Sequence, residues 1–348
     1  MKENTKRILI GISTIILIII MVIYVDFREI QENLIKISIY GIILFILIYT
    51  LSYIFRTFRL RLIFRGLNLN TAYLSLYASF GIGWGINEIT PGKVGDLARI
   101  EYIHQKENIN ISKSICGVTI ERFIDLIIIF LFTCLTLFFL YFFNVKGTTD
   151  LNLHFYVGIV AFLLIGSVIV LTILFFKTDL ILNLIGKISM RLRNRLESFL
   201  YRFLEGMNDF RKDKKRVFGA TILSIPIWFF DTFTLVLLFY LVGYEIDIFI
   251  IILAQIIIFF TKIFPITPGG WVISENIGAL LIFLFYPSIP YGSILSIFIL
   301  DHAIRTVYVL TYGISSALAM NYKIKELDFN QLNNNEKNSE LVKQKKIH

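Results

Sequence analysis

The sequence predicts an all-α polytopic membrane protein, with about six spanning helices and two oppositely oriented re-entrant helical hairpins in an inverted repeat. Three observations carry that prediction. The first is composition: 56% of the 348 residues are hydrophobic and 17% charged, with a mean hydropathy of +0.74, whereas a soluble domain carries charge on about a quarter of its residues. The second is segmentation, because runs close to the ~20 apolar residues a spanning helix needs alternate with charged stretches. The third is an echo. Ile89-Thr90-Pro91-Gly92-Lys93-Val94-Gly95-Asp96 returns as Ile266-Thr267-Pro268-Gly269-Gly270-Trp271, each copy after a short apolar run and before a long apolar helix that carries acid–base pairs. Apolar segments broken by Gly and Pro at corresponding places in two halves point to a transporter's binding site.

Taken in order, the spanning candidates are Ile8 to Val25, Ile37 to Phe55, Ile115 to Phe143, Tyr156 to Phe176, Val217 to Val242 and Tyr291 to Met320. The first follows Lys2, Lys6 and Arg7 as a signal peptide would, but its apolar run is too long and lacks a small-residue cleavage site, so it reads as a retained helix. Those basic residues place the N-terminus in the cytoplasm. The next loop, with Asp26, Arg28, Glu29, Glu32 and Lys36, is net acidic and suits the outside, and Arg56, Arg59, Arg61 and Arg65 end the second helix inside. Residues 177–216 are the most basic stretch, and Leu192, Leu196, Phe199 and Phe203 recur there at near-helical spacing, as in an amphipathic segment lying on the inner leaflet. The polar tail, residues 323–348, is expected to be disordered and cytoplasmic. One transmembrane domain is therefore expected over residues 1–322, with repeat halves at about 37–143 and 217–320.

The parity of crossings places the two echoed segments. The first must enter and leave from the cytoplasmic side and the second from the outer side, which makes the hairpins opposite in sense. Re-entry is preferred to two crossing arms because Ala72 to Ile86 and Val94 to Ile103 are too short or too polar to span. Non-helical backbone at membrane depth survives only inside protein or against a wet cavity, so a cavity between the hairpin tips is expected. Pro91, Gly92, Gly95, Pro268, Gly269 and Gly270 are assigned to the shape of the breaks.

Charge at that depth costs upward of about 2.5 kcal/mol when uncompensated, so charged residues should face inward and pair. Lys93, Arg99 and Lys262 flank broken backbone, whose free N–H groups and helix ends favour an anion; they are the candidate contacts for a substrate along a pathway. Asp96 and Glu275, just after each break, would orient those cations or carry a proton. Glu121, Arg122, Asp125, Asp231, Asp301 and Arg305 form a candidate intramembrane charge network, open to either structural locking or ligand contact. Arg122 and Asp125 stand i,i+3, and Asp301 and Arg305 i,i+4 with the acid first. His302 reads first as a hydrogen-bonded buried imidazole and second as a proton relay. Trp84 and Trp271 flank the breaks and are placed to line the cavity.

Several function classes are excluded by what the chain does not carry. There is no Walker motif, no H-E-x-x-H, no G-x-S-x-G and no Cys/His metal spacing, so no metal, no cofactor and no catalytic residue is assigned. Cys116 and Cys134, on one expected helix, stand roughly 27 Å apart at 1.5 Å per residue and cannot bridge. The net charge of +9 sits in segments flanking apolar helices, so anionic lipid and not nucleic acid is its counter-charge.

At Asn87-Glu88-Ile89-Thr90-Pro91-Gly92-Lys93-Val94-Gly95-Asp96-Leu97-Ala98-Arg99, then Glu121-Arg122-Phe123-Ile124-Asp125, then Pro265-Ile266-Thr267-Pro268-Gly269-Gly270-Trp271 with Glu275, the sequence resembles the transmembrane region of lysylphosphatidylglycerol synthetases, the flippase-like membrane proteins. The likeness covers roughly Lys6 to Lys325. It departs at Asp96, where the family commonly has Glu, and at Trp271, where a smaller residue is usual. The resemblance implies lipid movement between leaflets of the cell membrane, and no aminoacyl transfer, because no soluble domain follows Met320. The expected function is an integral membrane lipid translocator for an anionic or zwitterionic headgroup. Alternatives are an integral membrane enzyme or accessory factor of lipid-linked glycan or phospholipid metabolism, and a scaffold for a partner lipid-modifying synthase. The expected partners are membrane lipids, with a synthase or a second copy of the chain also considered.

Overall fold

The computed structural model describes residues 27–90, 93–142, 204–263 and 267–322 and the helical positions 158, 166 and 190. Every regular element among the described residues is helical. In chain order they are α1 (Phe27–Lys36), α2 (Ile39–Gly66), α3 (Tyr73–Ile89), α4 (Val94–Glu107), α5 (Ile111–Phe142), α6 (Lys214–Val242), α7 (Ile248–Ile263), a 3₁₀ turn (Pro268–Gly270), α8 (Ile273–Phe285) and α9 (Tyr291–Ala319), and residues 204–212, ahead of α6, are helical as well. The expected helices Ile8 to Val25 and Tyr156 to Phe176, most of segment 177–216, the tail, and Pro91 and Gly92 lie outside the described residues, apart from the isolated positions named.

The protein is an all-α polytopic membrane protein. Five helical segments, Ile39–Gly66, Ile111–Leu140, Lys214–Val242, Pro268–Phe285 and Tyr291–Ala319, are long and apolar enough to cross a membrane. Their surfaces invert the pattern of a soluble bundle. Large apolar side chains such as Tyr40, Phe138, Val307 and Leu318 are exposed, while Arg59, Arg99 and Glu121 are fully buried. In hydrocarbon this is the favourable arrangement, since apolar surface faces lipid at no cost and charge finds its partners within the bundle.

Helix α2 shows how the sequence builds this. Ser38 caps it, its side chain accepting from the Gly41 N–H at 3.1 Å. The buried side carries Phe45, Tyr49, Ser52, Tyr53, Arg56 and Leu60 at three- and four-residue steps, so a polar stripe runs down an otherwise apolar rod. The sequence places the end of this helix at Phe55, with Arg56 and Arg59 as loop charges; the structure corrects that. The helix continues to Gly66 because both arginines find carboxylates inside the bundle, leaving only Arg61 and Arg65 at its end.

Both echoed segments are breaks between paired helices. α3 packs against α4 across the first and α7 against α8 across the second. Thr90 leaves α3 with extended dihedrals (φ −120°, ψ 141°), as a residue before proline must, and Lys93 enters α4 in the left-handed region (φ 62°). Thr267 is likewise extended, Gly269 and Gly270 have φ of 63° and 85°, and Val272 enters α8 at φ 75°. A β-branched residue there is strained. α3 has 17 residues and α4 has 14, about 26 and 21 Å at 1.5 Å per residue against a ~30 Å hydrocarbon core.

The same order, long helix, broken pair, long helix, appears as α2, α3–α4, α5 and as α6, α7–α8, α9. The two sets interleave: α2 packs on α6 and α3 on α9. The second contact depends on small residues. A Cβ on Gly81 would lie 2.9 Å from the Tyr312 carbonyl, and one on Gly313 would lie 2.8 Å from the Gly81 carbonyl. Gly81 and Gly85 thus form a small-xxx-small stripe that brings two backbones together.

Candidate functional site

The broken pairs and the long helices enclose a cavity of about 370 Å³. Its charged lining comes from nearly every element: Arg56 of α2, Lys93 and Asp96 of α4, Arg122 and Asp125 of α5, Asp231 of α6, Lys262 of α7, Glu275 of α8, and Asp301 and Arg305 of α9. Trp84, Trp228, Phe259 and Phe298 supply apolar wall between them.

Most of that charge is paired. Arg56 is bonded to Asp231, whose other oxygen accepts from Ser52 at 2.6 Å. Arg305 donates to Asp301 at 2.8 Å and to the Asp231 carbonyl at 2.9 Å, and lies 4.7 Å from the Tyr49 ring centroid. Arg122 stands 3.7 Å from Asp96 and 3.6 Å from Asp125. Behind this wall Arg59 is clamped by Asp125 at 2.5 Å, Glu121 at 3.1 Å and the Ser224 hydroxyl at 2.8 Å. Arg99 donates to Glu121 at 2.7 Å and sits 3.7 Å over the Phe80 ring.

Two cations are left over. Lys93 and Lys262 line the cavity from opposite broken pairs, and neither has an ion-pair partner among the described residues. Unpaired acceptors and a donor accompany them, because Asp301 Oδ1, Glu275 Oε2 and Trp84 Nε1 have no hydrogen-bond partner in the described structure. An unpaired polar atom buried in a protein costs about 1–3 kcal/mol, a cost that a bound headgroup would relieve.

The candidate residues thus divide. Lys93, Asp96, Lys262 and Glu275 meet at one cavity together with Arg122, Asp125, Asp231, Asp301 and Arg305. Arg99 and Glu121 do not line it; they form the buried layer behind. Gly95 closes the first pair tightly, its N–H donating to Asn87 Oδ1 at 2.8 Å while Asn87 Nδ2 donates to Asp96 Oδ1 at 3.1 Å. A Cβ at Gly95 would come 1.9 Å from the Gly83 carbonyl. Pro268, Gly269 and Gly270 form the second turn, with Thr267 Oγ1 donating across it to the Trp271 carbonyl at 2.8 Å.

Glu88, Arg56 and Arg59 stand outside the expected set, yet all three are central. Glu88 ends α3 one turn before the break, and its Oε1 accepts from Thr306 at 2.5 Å and lies 3.2 Å from His302 Nε2. His302 Nδ1 faces Glu275 Oε1 on the other side. Trp271 stacks flat on the imidazole, centroids 4.1 Å apart and planes 6° from parallel. The available signal for Glu88 was charge inside an apolar run; for Arg56 and Arg59 it was the apolar Leu60, Leu62, Ile63 and Phe64 that continue the helix.

The model of the lysylphosphatidylglycerol synthase TM region family matches residues 8–313, nearly the whole chain. The chain belongs to that family. A UPF0104 membrane protein of Pyrococcus horikoshii is 22% identical over 294 residues, covering 79% of this chain and 86% of the relative. No solved structure matches the chain. Within the lysylphosphatidylglycerol synthase TM region family, then, this member carries its two broken helix pairs, its cavity and its buried arginine layer inside the matched span.

Proposed function

We propose that the protein translocates a lipid between leaflets, taking a phosphate-bearing, anionic or zwitterionic headgroup into the cavity while the tails remain in the bilayer. The observation that carries this reading is the pair of unpartnered lysines, Lys93 and Lys262, one from each broken pair, in a cavity whose other cations are neutralised. A half-buried cation without a partner is held at less cost once an anion arrives. Membership in a family named for a phospholipid synthase accords with a lipid substrate. Asp301, Glu275 and Trp84, with their free polar atoms, would hold the hydroxyl or ammonium part of the headgroup.

On this reading residues 1–322 form one flippase-like domain of the cell membrane, the broken pairs are re-entrant, and the halves are inverted repeats that rock about the site. Both termini are cytoplasmic. The test is reconstitution into liposomes with fluorescent phospholipids or polyprenyl-phosphate sugars, following loss of protection in the outer leaflet. Wild type should move one lipid class, and Lys93→Ala and Lys262→Ala should each slow it at least tenfold. A lipid that stays in place but emerges chemically altered would show instead that the cavity is an enzyme's active site.

A further inference from the structure

We infer that Glu88, His302 and Glu275 form a proton-binding site that couples the translocation proposed above, on which this inference rests, to a proton gradient. The geometry is a chain of three titratable groups from three helices: Glu88 from α3 at the first break, His302 from α9, and Glu275 from α8 just after the second. Each imidazole nitrogen faces a carboxylate oxygen, Nε2 at 3.2 Å from Glu88 and Nδ1 in contact with Glu275. A neutral imidazole has one N–H, so it can donate to only one of them. Satisfying both contacts requires one more proton, held as imidazolium or as a carboxylic acid. Two carboxylate contacts on one imidazole are the arrangement that the loaded site would hold.

Removal of that proton leaves two acceptors facing each other in a buried place, and the link between the two breaks is lost. The connection is physical as well as electrostatic, since a Cβ on Gly269, in the second break, would lie 2.7 Å from Glu88 Oε1. The charged groups around the histidine are Glu88 of α3, Glu275 of α8, Lys262 of α7 and Lys93 of α4, with Asp301 on α9 itself held by Arg305. Asp231 of α6 and Arg56 of α2 line the same cavity but neutralise each other. A proton on the chain changes its charge from −2 to −1 beside Lys262, so proton and anionic headgroup favour each other's binding and travel together, one with one.

Trp271 reports on the site directly, because a protonated imidazole stacked on an indole quenches its emission. In the purified wild-type protein in nanodiscs, tryptophan emission should fall in a single-proton step as pH is lowered. The step should vanish in Trp271→Phe and in His302→Gln, and its midpoint should move upward when phosphatidylglycerol replaces a neutral lipid in the disc. In liposomes, a one-unit pH difference should sustain up to about a tenfold leaflet asymmetry of the transported phospholipid, the limit for one proton per lipid. His302→Gln should sustain none. A missing emission step in wild type, or one that survives in His302→Gln, overturns the proton site. Lipid movement that ignores the gradient, and is equal in His302→Gln, also overturns it while leaving the translocator reading in place. An intact step with no lipid movement in wild type overturns the translocator reading, and the coupling with it.

Discussion

Arg59 sets the standard for what a single residue contributes here. It is fully buried, and it satisfies Glu121, Asp125 and Ser224 at once. Removing one partner of a buried ion pair costs about 3–5 kcal/mol because the other charge is left without compensation. Arg59→Ala should therefore lower the thermal unfolding midpoint in detergent by many degrees, whereas Arg65→Ala, at the exposed end of the same helix, should stay within about 0.5 kcal/mol of wild type. Equal effects from the two would contradict the buried layer. That Lys93, Asp96, Lys262 and Glu275 stand beside the two breaks, and so beside the cavity, was legible in the sequence, because each lies within about two turns of a Pro-Gly pair. It did not mark Glu88 or Arg59, since whether a charge at the end of an apolar run is a loop residue or an internal one depends on a partner tens of residues away, such as Asp125 for Arg59.

The helices divide in the same way. The breaks were legible because proline forbids the helix and glycine permits the left-handed turn, both properties of one or two residues. α6, α7 and α9 begin and end within a few residues of where their apolar runs do. The contact between α3 and α9 was not legible, because Gly81, Gly85 and Gly313 acquire their meaning only when two distant helices meet. Gly313→Val would drive a side chain into the Gly81 carbonyl, and the helices must separate. We expect that variant to lower the unfolding midpoint and to abolish lipid movement, while Ile314→Val, on the exposed side of the same helix, changes neither. Gly95→Ala should act likewise at the first break, where 1.9 Å separates the new carbon from backbone. Normal activity in both glycine variants would mean that the close approaches are dispensable.

For the whole molecule, the membrane class followed from composition alone, because no soluble fold can hide this much apolar surface. How the two sets of helices interleave, α2 on α6 and α3 on α9, was not legible in the sequence, since charge asymmetry orders segments along one axis but says nothing of their neighbours. The bilayer's presence around the bundle is open to a simple chemical test. Cys134 is exposed on α5 and Cys116 is buried. A water-soluble maleimide needs a thiolate in water, so neither cysteine should react in intact vesicles and both should after denaturation. Rapid labelling of Cys134 in vesicles would place that face of α5 in water.

The clamps on α2 also impose an order of events during synthesis. Arg56 enters the bilayer with its helix, but Asp231 lies 175 residues downstream. At about 5–20 residues per second, roughly 10–35 s pass before that carboxylate has been made. Arg59 meets Glu121 and Asp125 after only 62 and 66 residues, so the first clamp can close on α5 well before the second. Arg56 stays without its carboxylate until α6 emerges, and the polar interior of the bundle is completed in that order.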